Sequence, residues 1–197
     1  MNTLREHRST DFWDDMYAAP CATFAPIRRA EIGQFQDRVA AGAGKVVIDI
    51  GTGLGEWACR MSRLGLVVTG YDYSPVAIEK ARRLHYNHGP LTFEVHDFDA
   101  DAIPGRLHRE SVDVVSCRHV LQFLEMPRFL ADARRWLRKD GVLHITTAVT
   151  EKLRDGRKIG LPEEQIRELA RGWRECDRYD VDPDGETTAV VLRGPYT

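Results

Sequence analysis

The sequence predicts an α/β fold: a three-layer sandwich whose mostly parallel, seven-stranded sheet closes with a C-terminal antiparallel hairpin. Three observations predict it. Short β-branched runs alternate with amphipathic stretches between residues 46 and 146, and that alternation argues for a parallel sheet covered on both faces. The first run passes into a glycine turn that opens a helix. The last two runs, Trp173 to Val181 and Glu186 to Arg193, face each other across Pro183-Asp184-Gly185, which is turn chemistry. A chain of 197 residues suggests one domain spanning 1–197, with 1–44 as an N-terminal helical arm or lid and 45–197 as the core.

The elements follow in order. Pro26 to Ala41 reads as a helix with Ile27, Ala30, Ile32 and Phe35 on or near one face, ended by Ala41-Gly42-Ala43-Gly44. Val46 to Ile50 is a short β-branched run and so a buried strand. Glu56 to Leu64 carries Trp57, Ala58, Met61 and Leu64 at helical spacing. Leu66 to Asp72 and Leu91 to Val95 are the second and third strands, and Pro75 to Tyr86 is a crossover helix between them. Asp113 to Cys117 and Val142 to Thr146 are buried strands on either side of a helix over Pro127 to Leu137. Pro162 to Ala170 is helical before the hairpin. No repeat or low-complexity segment is visible.

Composition narrows the function classes. With 43% hydrophobic residues the chain can bury a sizeable core. A net charge of −2 gives no drive toward nucleic acid or an anionic membrane. The most basic run, Arg134, Arg135, Arg138 and Lys139, ends a helix, where cations favour the dipole. No run of eighteen apolar residues suggests a membrane span, and the N-terminus lacks an apolar signal core, so a cytoplasmic protein is expected. Cys21, Cys59, Cys117 and Cys176 show no C-x-x-C spacing. They read as thiols without a disulfide or metal.

The stretch Val46-Val47-Ile48-Asp49-Ile50-Gly51-Thr52-Gly53-Leu54-Gly55 carries the chemistry. Its glycines remove Cβ atoms where the chain turns sharply and a ligand lies against the backbone. A dinucleotide site uses G-x-G-x-x-G with the pyrophosphate at the helix N-terminus. Here the sixth position is Glu56, and Asp49 stands just before the turn. Two acids repel a pyrophosphate and suit a ligand bearing sulfonium and ammonium charges. Asp72 lies 21 positions after Gly51, the offset at which an acid binds ribose hydroxyls. Asp97 can accept from an adenine amino group, and Phe98 can lie on the ring face. Each has a plainer reading: Ser74 and Pro75 as a helix start, Asp97 as a turn acid. Three acids, each just after a strand and in this order, favour the nucleoside site.

On these residues the sequence resembles the class I S-adenosylmethionine-dependent methyltransferases, which have a Rossmann-like core. The resemblance rests on Val46 to Gly55, Tyr71-Asp72-Tyr73-Ser74, Asp97-Phe98, Asp113 to Leu121, and Leu137 to Leu143, within residues 44–150. It implies S-adenosylmethionine as cofactor. It implies that Asp49 with Gly51, Thr52, Gly53 and Gly55 holds the methionine end, that Asp72 binds the ribose with Tyr73 beside the adenine, and that Asp97 and Phe98 fix the adenine. Backbone around Cys117 and Arg118 would meet the amino group. Where many enzymes acting on base nitrogens of nucleic acid carry Asn/Asp-Pro-Pro-Tyr/Phe, this chain has Cys117-Arg118-His119-Val120. That resembles the small-molecule branches.

Ligands of open α/β sheets bind outside the carboxyl ends of the strands, so His119, Gln122, Thr146 and Thr147 would face the acceptor. His119 is the candidate base, because its ordinary pKa lies near operating pH. The alternative is that it caps a helix or lines the pocket. Trp13, Tyr17 and Phe24 in an irregular arm can form a lid or staple a short helix to the sheet. His144 reads as structural, and His85, His88 and His108 as surface residues. The expected activity is methyl transfer to an O or N atom of a small molecule by a monomer or homodimer. Two alternatives are an RNA or protein methyltransferase and a non-catalytic cofactor-binding partner subunit.

Overall fold

The computed structural model describes residues 9–19, 26–154 and 159–196. Helix α1 spans Thr10–Ala18 and α2 spans Arg29–Val39. Strand β1 (Val46–Ile50), α3 (Glu56–Arg63), β2 (Val67–Asp72), α4 (Pro75–Leu84) and β3 (Leu91–Val95) follow. Then come β4 (Val112–Arg118), a 3-10 turn at Leu121–Phe123, α5 (Met126–Trp136) and β5 (Leu137–Ala148). A 3-10 turn at Thr150–Lys152, α6 (Glu163–Glu168), β6 (Trp173–Asp180) and β7 (Thr187–Pro195) complete the chain.

The strands form one sheet in the order β3-β2-β1-β4-β5-β7-β6. The first five pair in parallel, and β7 runs antiparallel to both β5 and β6. Alternation divides the core. Val47, Val68, Val114 and Val142 pack with Phe35, Trp57, Met61 and Ile78 of α2, α3 and α4. Ile48, Ile50, Val115, Leu143 and Ile145 pack with Phe129, Trp136 and Ile166 of α5 and α6 on the other face. The order reverses between β1 and β4, and such a switch point opens a crevice at the strands' carboxyl ends.

Local chemistry fixes the helix starts near that crevice. Ser74 Oγ accepts from Ala77 N–H at 3.0 Å, and Pro75 takes the first helical position, where its missing N–H costs nothing. Ser9 Oγ caps α1 through Phe12 N–H at 3.2 Å.

Two expectations change and one alternative is chosen. The buried stripe of α2 is Glu31, Phe35 and Val39, and Ala30 is exposed; these three residues repeat every four positions, so the acid lies on the core face. In the N-terminal arm the short-helix alternative is the one observed, since α1 buries Trp13 and Tyr17. Strand β5 begins at Leu137 directly after α5, with an irregularity in its pairing between Val112 and Val114. Cys21 and Phe24 lie outside the described residues.

Candidate functional site

Gly51, Gly53 and Gly55 all have positive φ, at 65°, 53° and 79°. A Cβ on Gly51 would stand 2.5 Å from Val120 Cγ2, and one on Gly53 2.8 Å from Tyr17 Oη. The turn therefore requires glycine for both backbone conformation and space. Thr52 N–H anchors it to the Tyr71 carbonyl at 2.9 Å.

Asp49 is buried opposite Ser116 in the β1–β4 register. Its Oδ2 accepts from Thr52 Oγ1 at 2.8 Å. Burial pushes its carboxyl up to about 7, against the hydroxyls of Thr52 and Ser116 and the Arg118 charge. Asp72 ends β2. Its Oδ2 accepts from Gly53 N–H at 2.9 Å and its Oδ1 from Ser74 N–H at 3.0 Å. Burial lifts it to about 6 despite those bonds. The two acids thus flank the turn, each held dry.

A cleft of about 170 Å³ opens beside Asp72, lined by Gly51, Tyr73, His96, Asp97, Phe98 and Val120 among others. Two buried polar atoms of its walls, Tyr71 Oη and His96 Nε2, have no hydrogen-bond partner. Such atoms are costly unless a ligand or water meets them. Asp97 Oδ1 accepts from Asp99 and Ala100 N–H groups, so it serves the turn while also lining the cleft. The Phe98 ring packs edge-on against Tyr71 and His96 and is largely part of the core.

Beyond the cleft, Cys117 faces the α5 side of the core. Arg118 holds Glu31 through two bonds, Nε–Oε1 at 2.7 Å and Nη2–Oε2 at 3.1 Å, above the Trp57 ring. His119 has φ of 56°. Its N–H donates to Thr146 O at 2.7 Å, and its carbonyl accepts from Gln122 Nε2 at 2.9 Å. Gln122 Oε1 and Thr146 Oγ1, both buried, have no partner. Burial and Arg118 drive His119 down to about 3, while Asp182 from the hairpin turn pulls the other way. His119 is therefore neutral at operating pH and a weak base. His144 is buried and meets Tyr179 Oη at 3.0 Å, as a structural residue should. His85 is half-buried, against the surface reading, because its ring meets the Leu54 carbonyl at 3.0 Å.

The arm closes the turn. Trp13 stacks on Tyr17 at 5.8 Å and meets Phe123 edge-on at 5.4 Å. Lys80 Nζ of α4 donates to the Tyr17 and Ala18 carbonyls. Sequence reading missed Glu31 and Asp182, whose partners lie 87 and 63 positions away.

A methyltransferase-domain family model matches residues 48–145. The mitochondrial ubiquinone biosynthesis O-methyltransferase of Schizosaccharomyces pombe is 31% identical over 138 residues, covering 70% of this chain and 50% of that protein. The corresponding enzyme of Actinobacillus pleuropneumoniae is 28% identical over 184 residues, 88% of this chain and 75% of that one. The chain belongs to the class I S-adenosylmethionine-dependent methyltransferases. The fold agrees: the N-methyltransferase NodS of Bradyrhizobium japonicum, solved with S-adenosylhomocysteine, superposes with a TM-score of 0.73 at 19% identity, covering 99% of this chain and 100% of that one. The chain spans half the length of the yeast relative. Among the described residues, no helix of this methyltransferase is long and apolar enough to cross a membrane.

Proposed function

We propose that this chain binds S-adenosylmethionine in the cleft beside Asp72 and transfers its methyl group to an oxygen or nitrogen of a small molecule. The observation that carries the reading is the pair of buried carboxylates, Asp49 and Asp72, on either side of a glycine turn at the sheet's switch point. When bound, the cofactor supplies an electrophilic methyl group on a sulfonium. Asp72 accepts from the ribose hydroxyls. Tyr73, Asp97, Phe98 and His96 surround the adenine, with His96 Nε2 free to bond it. Asp49 and Thr52 hold the cationic amino-acid end against the backbone at Cys117 and Arg118. Trp13 and Tyr17 act as a lid that excludes water. The relatives named above support a small acceptor, met by Gln122 Oε1 and Thr146 Oγ1. Most of the acceleration then comes from alignment. His119 would line the acceptor side of the site as a neutral imidazole.

Calorimetric titration with S-adenosylhomocysteine tests the reading, with NAD as control. Binding specific to the sulfur nucleoside supports it, and a preference for NAD overturns it. The titration carries a pH signature. Ribose hydroxyls need ionised Asp72, and the ammonium favours ionised Asp49. Their folded values stand near 6 and 7. Affinity is expected to rise from pH 5 to pH 8, with protons released on binding. An affinity that is flat or falls over this range would contradict the assigned roles.

The lid makes a separate expectation. Trp13→Ala removes the stacking partner of Tyr17 and its contact with Phe123. Such buried aromatic truncations cost about 3–5 kcal/mol when in a core. Here the loss falls on α1 docking, so turnover drops about tenfold or more while the urea midpoint of the core barely moves. A variant with full turnover would show that α1 only decorates the fold.

A further inference from the structure

Outside the cofactor cleft, Cys59, His85 and His88 bring three ligand atoms within 4.8 Å of one another. Cys59 lies on the buried side of α3, His85 at the end of α4, and His88 three residues later in the loop that leads to β3. We propose that these side chains form a binding site for a thiophilic divalent cation, Zn²⁺ being the natural occupant. The ligand set decides the class. One thiolate with two imidazoles suits zinc and its neighbours, whereas calcium and magnesium demand oxygen.

The surroundings fit a metal site. His85 Nε2 stands 3.0 Å from the Leu54 carbonyl, so it carries the proton and leaves Nδ1 as the ligand. Metal-bound histidines characteristically donate their second ring nitrogen to such an acceptor, which fixes the tautomer and orients the ring. In a tetrahedral site, bond lengths of about 2.0–2.3 Å place ligand atoms about 3.4–3.6 Å apart. The three atoms here close that gap by side-chain rotation. Cys59 gives its thiol proton to solvent as the ion binds. The exposed Arg63 guanidinium, 3.5 Å from His88 Nε2, turns outward. Water takes the fourth position on the half-buried side, where His88 gives access. The bound ion ties α3 to the end of α4 directly behind Leu54 and Gly55 of the glycine turn.

The test uses reduced, metal-free, full-length protein carrying Cys21→Ser and Cys176→Ser, which leaves Cys59 and the buried Cys117 as its thiols. It is titrated with Co²⁺ and then with Zn²⁺. One Co²⁺ per chain is expected, with a thiolate-to-cobalt absorption band that one equivalent of Zn²⁺ displaces. Cys59→Ala in that background loses the band. His88→Gln weakens Zn²⁺ binding about tenfold or more without changing the thermal transition of the metal-free protein. No stoichiometric binding, a band that survives Cys59→Ala, or an unchanged Zn²⁺ affinity in His88→Gln overturns the site. Should Cys59→Ala fail to fold, His88→Gln, at a half-buried loop position, decides alone.

Discussion

Asp72→Asn is expected to weaken nucleoside binding strongly while leaving the protein folded and no less stable at neutral pH. The carboxylate accepts two backbone bonds, from Gly53 and Ser74, and is proposed to accept both ribose hydroxyls with its remaining lone pairs. Hydrogen bonds to a charged acceptor are worth about 1.5–3 kcal/mol each, so losing both weakens S-adenosylhomocysteine about 100-fold or more. Stability runs the other way. Asp72 stands near 6 in the folded chain, above its ordinary value of 3.8. A group raised on folding contributes fully below its unfolded pKa and loses that contribution as pH rises through the folded value. The wild-type protein thus forfeits about 3 kcal/mol between roughly pH 4 and pH 7 by keeping this charge dry. Asparagine avoids that loss but leaves one backbone N–H poorly matched, at about 1–3 kcal/mol. The two nearly cancel at neutral pH. Urea midpoints at pH 5 and pH 8 check this: the variant's midpoint falls less between them than the wild type's. A variant that binds normally removes Asp72 from the ribose site. One that is unfolded at pH 8 shows that its backbone bonds outweigh its burial.

The sheet was legible because its signals are local. Val46 to Ile50, Leu66 to Asp72 and Asp113 to Cys117 each show their strand in their own composition, and the glycine turn declares its conformation through the residues it uses. The positions of the three acids were legible for the same reason, although the structure places Asp49 inside β1 and Asp72 as the last residue of β2, and only Asp97 beyond its strand. What lay hidden depends on pairs distant in sequence. Glu31 looks like any helix acid until β4 brings Arg118 beside it. His119 sits where expected, yet its basicity is set by burial and by Arg118, neither visible from its neighbours. His85 reads as a surface residue until Leu54 offers its carbonyl. Aromatic residues in the arm told of a contact and allowed a short helix, but not how it docks, because Ser9 as cap and Lys80 as clasp act through single bonds that carry no pattern.

Glu31→Ala should be the most destabilising single substitution at the site. Glu31 is 2% exposed and its partner Arg118 is 12% exposed at the side chain. Both were dehydrated on folding, and their two-bond geometry offsets that loss. Removing the acid leaves the guanidinium in a dry pocket beside His119 and His144, both neutral. Breaking a buried pair this way costs about 3–5 kcal/mol, which in a chain of this size lowers the thermal midpoint by about 6–20 °C. Asp49 is the nearby alternative partner: with Glu31 gone, its carboxyl ionises more readily beside Arg118 and falls below 7. That moves the lower edge of the binding pH range downward. The charge, rather than the lost packing, is responsible if Glu31→Ala combined with Arg118→Met recovers most of the stability, as replacing a whole buried pair by apolar groups generally does. Equal losses in the single and double variants would instead place the cost in packing against Trp57. The sequence keeps an ion pair where an apolar one would hold the fold as well, and the proposed role of the β4 end in meeting the cofactor's charged terminus gives that choice a functional reason.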